Sequence, residues 1–115
     1  MDIVNGEQTW KKIITNLCNA PIEIHTIPSN NKEPLWFETY SDGTYVYVQN
    51  AKKHKPSTNI SQTRAITKKD FLTVYSYYHR WAGGETHLRQ EVRLYSRNTA
   101  YIFSLISVFE DRKIH

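Results

Sequence analysis

Residues 35–48 read LWFETYSDGTYVYV, two runs of aromatic and β-branched residues separated by a polar tripeptide, 41–43. Such runs favour strands, and the glycine in the tripeptide tolerates the positive φ that a tight hairpin requires. Side chains alternate along a strand, so one face of this hairpin is predicted to be aliphatic and buried. The other face is aromatic, with Trp36, Tyr45 and Tyr47. An exposed aromatic face can stack nucleic-acid bases, but packing under a helix explains the same residues and is the favoured interpretation.

Residues 43–69 contain no Asp or Glu but carry six cationic side chains, Lys52, Lys53, Lys55, Arg64, Lys68 and Lys69. Within them, residues 49–65, here called the basic arm, lack periodicity and are long for a connection, which is typical of a functional or flexible segment. His54 is interpreted as a hydrogen-bonding or pH-dependent cation. No Cys or second His lies at ligand spacing from it, so neither a metal nor a cofactor is predicted.

The first helix is predicted from an N-cap at Asn5, with apolar residues at helical spacing from Trp10 to Cys18. It is expected to end near Asn19, because Pro21 disfavours helical geometry at the residue before it. Cys18 lies on the apolar stripe and is expected to be buried and inert.

The second helix is predicted to begin after Thr67, with Asp70 at the capping-box position, and to end at Gly83. Lys68 and Lys69 fall in its first turn, where the helix dipole disfavours cations. An anionic ligand at this helix N-terminus would explain them, although two exposed lysines also cost little. The predicted core stripe is Phe71, Val74, Tyr75, Tyr78 and Trp81 or Ala82.

Three further elements complete the predicted fold. Residues 22–27 read as a strand, followed by turn chemistry over 28–34 that includes Ser29, Asn30 and Asn31. Residues 85–95 alternate and are predicted to form a half-buried strand, with a helix as the alternative. The last helix, capped by Ser96 or Asn98, is apolar nearly all round and is therefore either central to the core or covered by another subunit. Residues 111–115 are expected to be a frayed tail.

The sequence therefore predicts an α+β fold: a small antiparallel sheet of about four strands with three helices, in the order α-β-β-β-α-β-α. A chain of 115 residues fits one domain, 1–115. The single cysteine favours a reducing, cytoplasmic location, and no stretch resembles a secretion signal or a membrane span.

Charge is distributed unevenly. The chain carries +4 overall, whereas residues 1–42 hold three lysines against six carboxylates, so the remainder carries a net +7. This asymmetry predicts a non-enzymatic nucleic-acid-binding domain in which the basic arm and the helix start contact phosphate, with DNA and RNA both open. The predicted contact residues are Lys52, Lys53, His54, Lys55, Arg64, Lys68, Lys69, Arg80, Arg89, Arg93 and Arg97.

Two other functions fit the same residues. The apolar last helix predicts a protein-interaction or homo-oligomerising module through Tyr101, Phe103, Leu105 and Phe109. Glu85, His87 and Glu91 lie on one face of the predicted strand with Arg89 and Arg93, as a metal-independent ribonuclease would require. A carboxylate would take the 2′-hydroxyl proton, His87 would protonate the leaving oxygen, and arginine would stabilise the charged phosphorane. Alternating charges on a solvated strand give that pattern without catalysis.

Overall fold

The computed structural model describes residues 2–28 and 32–110, so the turn predicted at Ser29, Asn30 and Asn31 and the tail predicted at 111–115 lie outside the described residues. Its elements are α1 (Asp2–Asn19), β1 (Ile22–His25), β2 (Trp36–Ser41), β3 (Val46–Asn50), β4 (Arg64–Ile66), α2 (Lys68–Ala82), α3 (Leu88–Val92) and α4 (Thr99–Glu110). The α+β class is confirmed, with four helices in the described residues and a four-stranded antiparallel sheet.

The sheet is a meander in the order β1-β2-β3-β4, in which every neighbouring pair is antiparallel. Its fourth strand is β4, which begins at the end of the basic arm and precedes α2. The strand predicted at 85–95 is wrong: these residues form a turn and the short helix α3. Leu88 and Val92 are buried, one helical turn apart, while Leu94, on the face that the strand would bury, is 81% exposed.

The helices pack on one face of the sheet. Phe37, Val48 and Ile66 point from the strands into a core shared with Ile13 and Leu17 of α1, and all five are at most 1% exposed. Burial of this apolar face is the main favourable term in the fold.

α4 is central to that core. Phe103 and Leu105 are fully buried within this chain, together with their helix neighbours Ile102 and Ile106. These two residues of the predicted interface are therefore covered by the chain itself, whereas Tyr101 and Phe109 remain partly exposed.

The helix termini agree well with the sequence at α2 and less well at α1. The Thr67 side chain accepts a hydrogen bond from the Asp70 amide at 3.1 Å, and the Gly83 amide donates to the His79 carbonyl at 2.9 Å, as predicted for caps. α1 begins at Asp2, before the predicted cap. Cys18 is exposed, which contradicts the predicted burial, because the core contact of the last turn is made by Leu17.

α1 meets α2 at Gly6. A β-carbon at this position would lie 2.9 Å from Leu72 Cδ2 and 3.0 Å from Tyr75 Cδ2. We expect Gly6→Val to lower the free energy of unfolding by about 1–3 kcal/mol, because overpacking against the Tyr75 ring outweighs the gain in helix propensity. Urea denaturation measures the change, with the exposed Thr15→Val on the same helix as the control. A Gly6→Val protein as stable as the wild type would show that the helices do not approach this closely.

Candidate nucleic-acid interface

The sheet face opposite the core, here called the outer face, carries the aromatic side chains of the hairpin. Trp36 and Tyr40 of β2 and Tyr47 of β3 project from it, and Tyr40 is paired with Tyr47 across the strands. Their strand neighbours Phe37, Thr39, Val46 and Val48 face the core and are fully buried. The interpretation that the aromatic face packs under a helix is therefore wrong, because the helices occupy the aliphatic side.

Three of these rings form what we call the tyrosine platform, consisting of Tyr40, Tyr45 and Tyr47. The Tyr40 and Tyr47 rings stack with centroids 5.2 Å apart, and Tyr45, which is 40% exposed, meets Tyr47 edge-on at 6.3 Å. The Tyr47 hydroxyl donates to Asp42 Oδ2 at 2.7 Å, which raises the pKa of Tyr47. The amides of Tyr45 and Thr44 also donate to Asp42 and, with Tyr47, lower the pKa of that carboxyl. The hairpin turn thus holds the platform in place.

At the other end of the outer face, over Trp36, residues 51–57 form a lysine loop that is fastened to the sheet by Glu23 of β1. The amides of Lys52, Lys53 and His54 donate to the Glu23 carboxylate at 2.7, 3.0 and 2.9 Å, and His54 Nδ1 lies 2.7 Å from it. Successive backbone amides around one anion form a nest. Here the anion is the protein's own side chain, which is only 7% exposed.

The return of the lysine loop is also fixed. The Ala51 amide donates to Ser57 Oγ at 2.9 Å, which closes the loop, and the Thr58 amide donates to the Trp36 carbonyl at 2.9 Å. Both ends are therefore held by ordered strands, and the backbone between them is set by Glu23. Residues 43–69 contain no Asp or Glu, so the carboxylate that binds the backbone of the lysine loop comes from another strand.

The pKa of Glu23 shows how strongly this contact favours the ionised carboxylate. Burial disfavours the charged form, but the hydrogen bonds from the His54 ring and the three loop amides outweigh it and lower the pKa from 4.5 to about 2. The stabilisation from ionised Glu23 is therefore fully present above pH 4.5 and is lost as the pH falls through about 2.

We expect Glu23→Gln to lower the free energy of unfolding at neutral pH by about 1–3 kcal/mol, since the loop amides lose a charged acceptor. Thermal unfolding of both proteins at a series of pH values should show a constant gap above pH 4.5 that closes towards pH 2. The exposed Glu91→Gln on α3 serves as the control for removing one carboxylate. A difference in stability that stays constant or widens down to pH 2 would contradict the proposed role of ionised Glu23.

The lysine loop covers part of the outer face. The His54 ring stacks on Trp36 with centroids 3.9 Å apart and planes at 15°, while His25 meets Trp36 edge-on. Trp36 therefore already has a stacking partner. Lys52 lies 3.6 Å from Glu38, which also accepts from Gln49. Lys53 and Lys55 are exposed, and neither forms an ion pair with a described residue.

The remaining predicted cations are spread over other parts of the molecule. Lys68 lies 3.3 Å from Glu7, so the start of α2 has an internal partner, while Lys69 is exposed. Arg80 forms a two-pronged pair with Glu85 at 2.9 and 3.2 Å.

The other four predicted arginines lie on the helical side. Arg64 Nη1 donates to the Arg97 carbonyl at 3.1 Å, and the guanidinium lies over the Tyr101 ring. Arg89 and Arg93 come from α3 and the residue after it. The eleven predicted contact residues therefore do not form one continuous surface.

The predicted ribonuclease arrangement is not present as the sequence implied it. The strand that would align Glu85, His87 and Glu91 does not exist, because these residues lie in the turn after α2 and in α3. Arg80 donates hydrogen bonds to the Glu85 carboxylate. These bonds, and the positive charge of Arg80, lower the pKa of Glu85. A carboxylate held ionised in this way is a poor proton acceptor.

Two contacts of the lysine loop, one with Glu23 and one with Glu38, were not predicted from the sequence. Glu23 and Glu38 lie directly opposite each other on β1 and β2, an arrangement of like charges that calls for cations nearby. The lysine loop supplies the Lys52 ammonium group to Glu38, whereas Glu23 receives neutral backbone amides and the His54 ring. This pair of like charges could have indicated the contacts, but recognising it requires the register of β1 against β2.

The described part of the chain has no helix long and apolar enough to cross a membrane. Comparisons of this chain with protein-family models, with curated proteins and with solved structures find no match.

Proposed function

We propose that this protein is a non-enzymatic nucleic-acid-binding domain that holds a single strand on the outer face of its sheet. In this proposal bases stack on the tyrosine platform and phosphates contact Lys53 and Lys55 of the lysine loop. The supporting observation is the combination, on one open sheet face, of aromatic rings held by the hairpin turn and a cationic loop fastened by Glu23.

The chemistry of the platform favours unpaired bases. Each base stacked on an aromatic side chain contributes about 1–3 kcal/mol, and a duplex keeps its base faces inside its own stack. Tyr40 and Tyr47 lie on the outer face, and Tyr47 is next to the edge strand β4, where its paired residue is Ala65. This small neighbour leaves room beside the rings.

The charges of the lysine loop favour a phosphate backbone. The carboxylates of the outer face already have partners: Glu23 is held by loop amides, Asp42 by Tyr47 and turn amides, and Glu38 by Lys52. Lys53 and Lys55 are the cations of the loop left without a carboxylate among the described residues. Binding of a phosphate to them would release counterions and make the affinity depend on salt.

The helix start contributes less to this proposal than the sequence implied. Thr67 caps the Asp70 amide and Lys68 is paired with Glu7, so two of its anion-binding groups already have partners. Association through α4 does not form part of the proposal, since Phe103 and Leu105 belong to the core.

The single cysteine also leads us to propose the cytoplasm as the location of this protein.

Fluorescence anisotropy tests the proposed function. Labelled single-stranded DNA, single-stranded RNA and duplex DNA of equal length are titrated with the protein over a series of salt concentrations. We expect single strands to bind more tightly than the duplex, with affinity falling steeply as salt rises. No binding at low salt, or equal affinity for all three, would refute the proposal.

A further inference from the structure

A second cationic site lies away from the outer face, in a cleft between α3, the segment joining β1 to β2, and the start of α4. We call it the arginine cleft; its volume is about 960 Å³. Clefts of roughly 300–1,000 Å³ hold small organic ligands. Its described wall contains three full cations, Lys32, Arg89 and Arg93, against the single carboxylate of Glu33.

Arg89 is the most informative residue of this cleft. It is partly buried, and its guanidinium carbon lies 5.6 Å from the Trp81 ring centre and 5.8 Å from that of the fully buried Phe103. Its Nη1 donates to the Ile27 carbonyl at 2.7 Å. No described carboxylate lies within ion-pair distance of Arg89. A partly buried cation that no carboxylate neutralises favours the binding of an anionic ligand.

Arg93 adds a second guanidinium to the same wall. It lies four residues after Arg89, which places both on one face of the helical turn. Like Arg89, it has no carboxylate partner among the described residues. Burial, and then repulsion from Arg93, lowers the pKa of Arg89, although a guanidinium remains protonated at neutral pH. Two neighbouring guanidiniums without an internal anion are suited to bidentate binding of a phosphate.

The remaining walls are suited to a flat, largely apolar group. Trp81 and Tyr101 line the cleft and are partly exposed, and Ile27 and Leu35 add aliphatic surface. An aromatic ring of a ligand can stack or pack against such walls while its phosphate meets the arginines.

We propose that the arginine cleft binds a phosphate monoester carried on a nucleoside, with Arg89 and Arg93 holding the phosphate and Trp81 and Tyr101 contacting the base. The monoester comes either from a free mononucleotide or from the phosphorylated end of a strand. This site is separate from the tyrosine platform, so either site can fail without the other.

Isothermal titration calorimetry tests the site with adenosine 5′-monophosphate, adenosine and inorganic phosphate as probes. We expect the monophosphate to bind, with affinity at least about tenfold above both fragments, because only it meets the arginines and the aromatic walls together. Absence of binding, or equal affinity for the monophosphate and adenosine, would overturn the proposal. Equal affinity for the monophosphate and inorganic phosphate would overturn the role of the aromatic walls.

The matched variants are Arg93→Gln and, as the control, Arg97→Gln. Both remove one exposed arginine, but Arg97 does not line the cleft. We expect Arg93→Gln to weaken binding of the monophosphate by about tenfold or more and Arg97→Gln to leave it unchanged. Equal effects would contradict the site. Arg89→Gln should abolish binding, and if its loss unfolds the protein the Arg93 variant still decides.

The source of the monoester is decided with the double variant Tyr40→Ala/Tyr47→Ala, which removes the platform. If a 5′-phosphorylated oligonucleotide binds this variant more tightly than its 5′-hydroxyl counterpart, the cleft takes strand ends. If adenosine 5′-monophosphate binds and both oligonucleotides are equal, it takes free mononucleotides. If neither adenosine 5′-monophosphate nor the 5′-phosphorylated oligonucleotide binds this variant, the arginine cleft is refuted. That result does not bear on the tyrosine platform.

Discussion

The double variant Tyr40→Ala/Tyr47→Ala is expected to lose at least tenfold in affinity for single-stranded oligonucleotides, because each stacked base contributes about 1–3 kcal/mol. The two rings stack on each other at 5.2 Å on the outer face. Their removal leaves Tyr45 without its aromatic neighbour. Anisotropy titration at fixed salt measures the loss, and thermal unfolding confirms that the variant is folded.

Two controls separate stacking from other effects of this change. Tyr95→Ala removes a tyrosine that is 63% exposed and stacks on Tyr77 in the helical layer, so it should not alter affinity. Tyr47→Phe keeps the ring and removes only the hydroxyl bonded to Asp42, so most of the affinity should remain. A folded double variant that binds like the wild type would refute the platform.

The double variant Lys53→Gln/Lys55→Gln should bind single strands about tenfold more weakly at low salt and flatten the dependence of log affinity on log salt by about 1.4, since each lost phosphate contact on a single strand removes about 0.7 from the slope. Lys52 is left in place because it is paired with Glu38. Titrations at several salt concentrations give the slope directly.

Lys11→Gln/Lys12→Gln provides the matched control for the loop variant. Both lysines are exposed on α1, in the helical layer, and their loss changes the net charge by the same amount. We expect their removal to alter the slope only slightly. Equal slopes for the two double variants would show that net charge, and not the lysine loop, governs binding.

The sequence predicted the parts of the fold that depend on neighbouring residues. The cap of α2 and its buried stripe from Phe71 to Tyr78 were found because the signals lie within one or two helical turns. The alternation of Phe37 and Thr39 with Trp36 and Tyr40 correctly separated the two faces of the hairpin. The burial of the aliphatic face was predicted correctly, whereas what covers the aromatic face depends on distant segments, and the prediction of a helix over it was wrong.

The errors come from patterns that fit two structures at once. Leu88 and Val92 are four residues apart, a spacing shared by one face of a strand and one face of a helix. Arg89 and Arg93 share that spacing, so they were correctly placed on one face but on the wrong kind of element. β4 has only three residues and no alternation to read, and it becomes a strand by pairing with β3, as Val46 opposite Ile66 shows.

The candidate site was less predictable than the fold because its contacts are distant in sequence. The lysines of the loop were identified from composition, but the carboxylate that shapes their backbone is 29 to 31 residues earlier. Nothing local to residues 51–57 predicts which anion they surround. For the same reason, the eleven predicted contact residues were assigned to one surface, whereas in the fold they lie on several surfaces.

The most direct measurement of where a strand binds is backbone amide chemical-shift mapping by NMR, with a short single-stranded oligonucleotide added to the isotopically labelled protein. We predict that the largest changes fall on the outer face, at Tyr40, Tyr45, Tyr47 and the lysine loop 51–57, with α1 unaffected. Changes concentrated on the helical layer, with the outer face unaffected, would contradict this prediction.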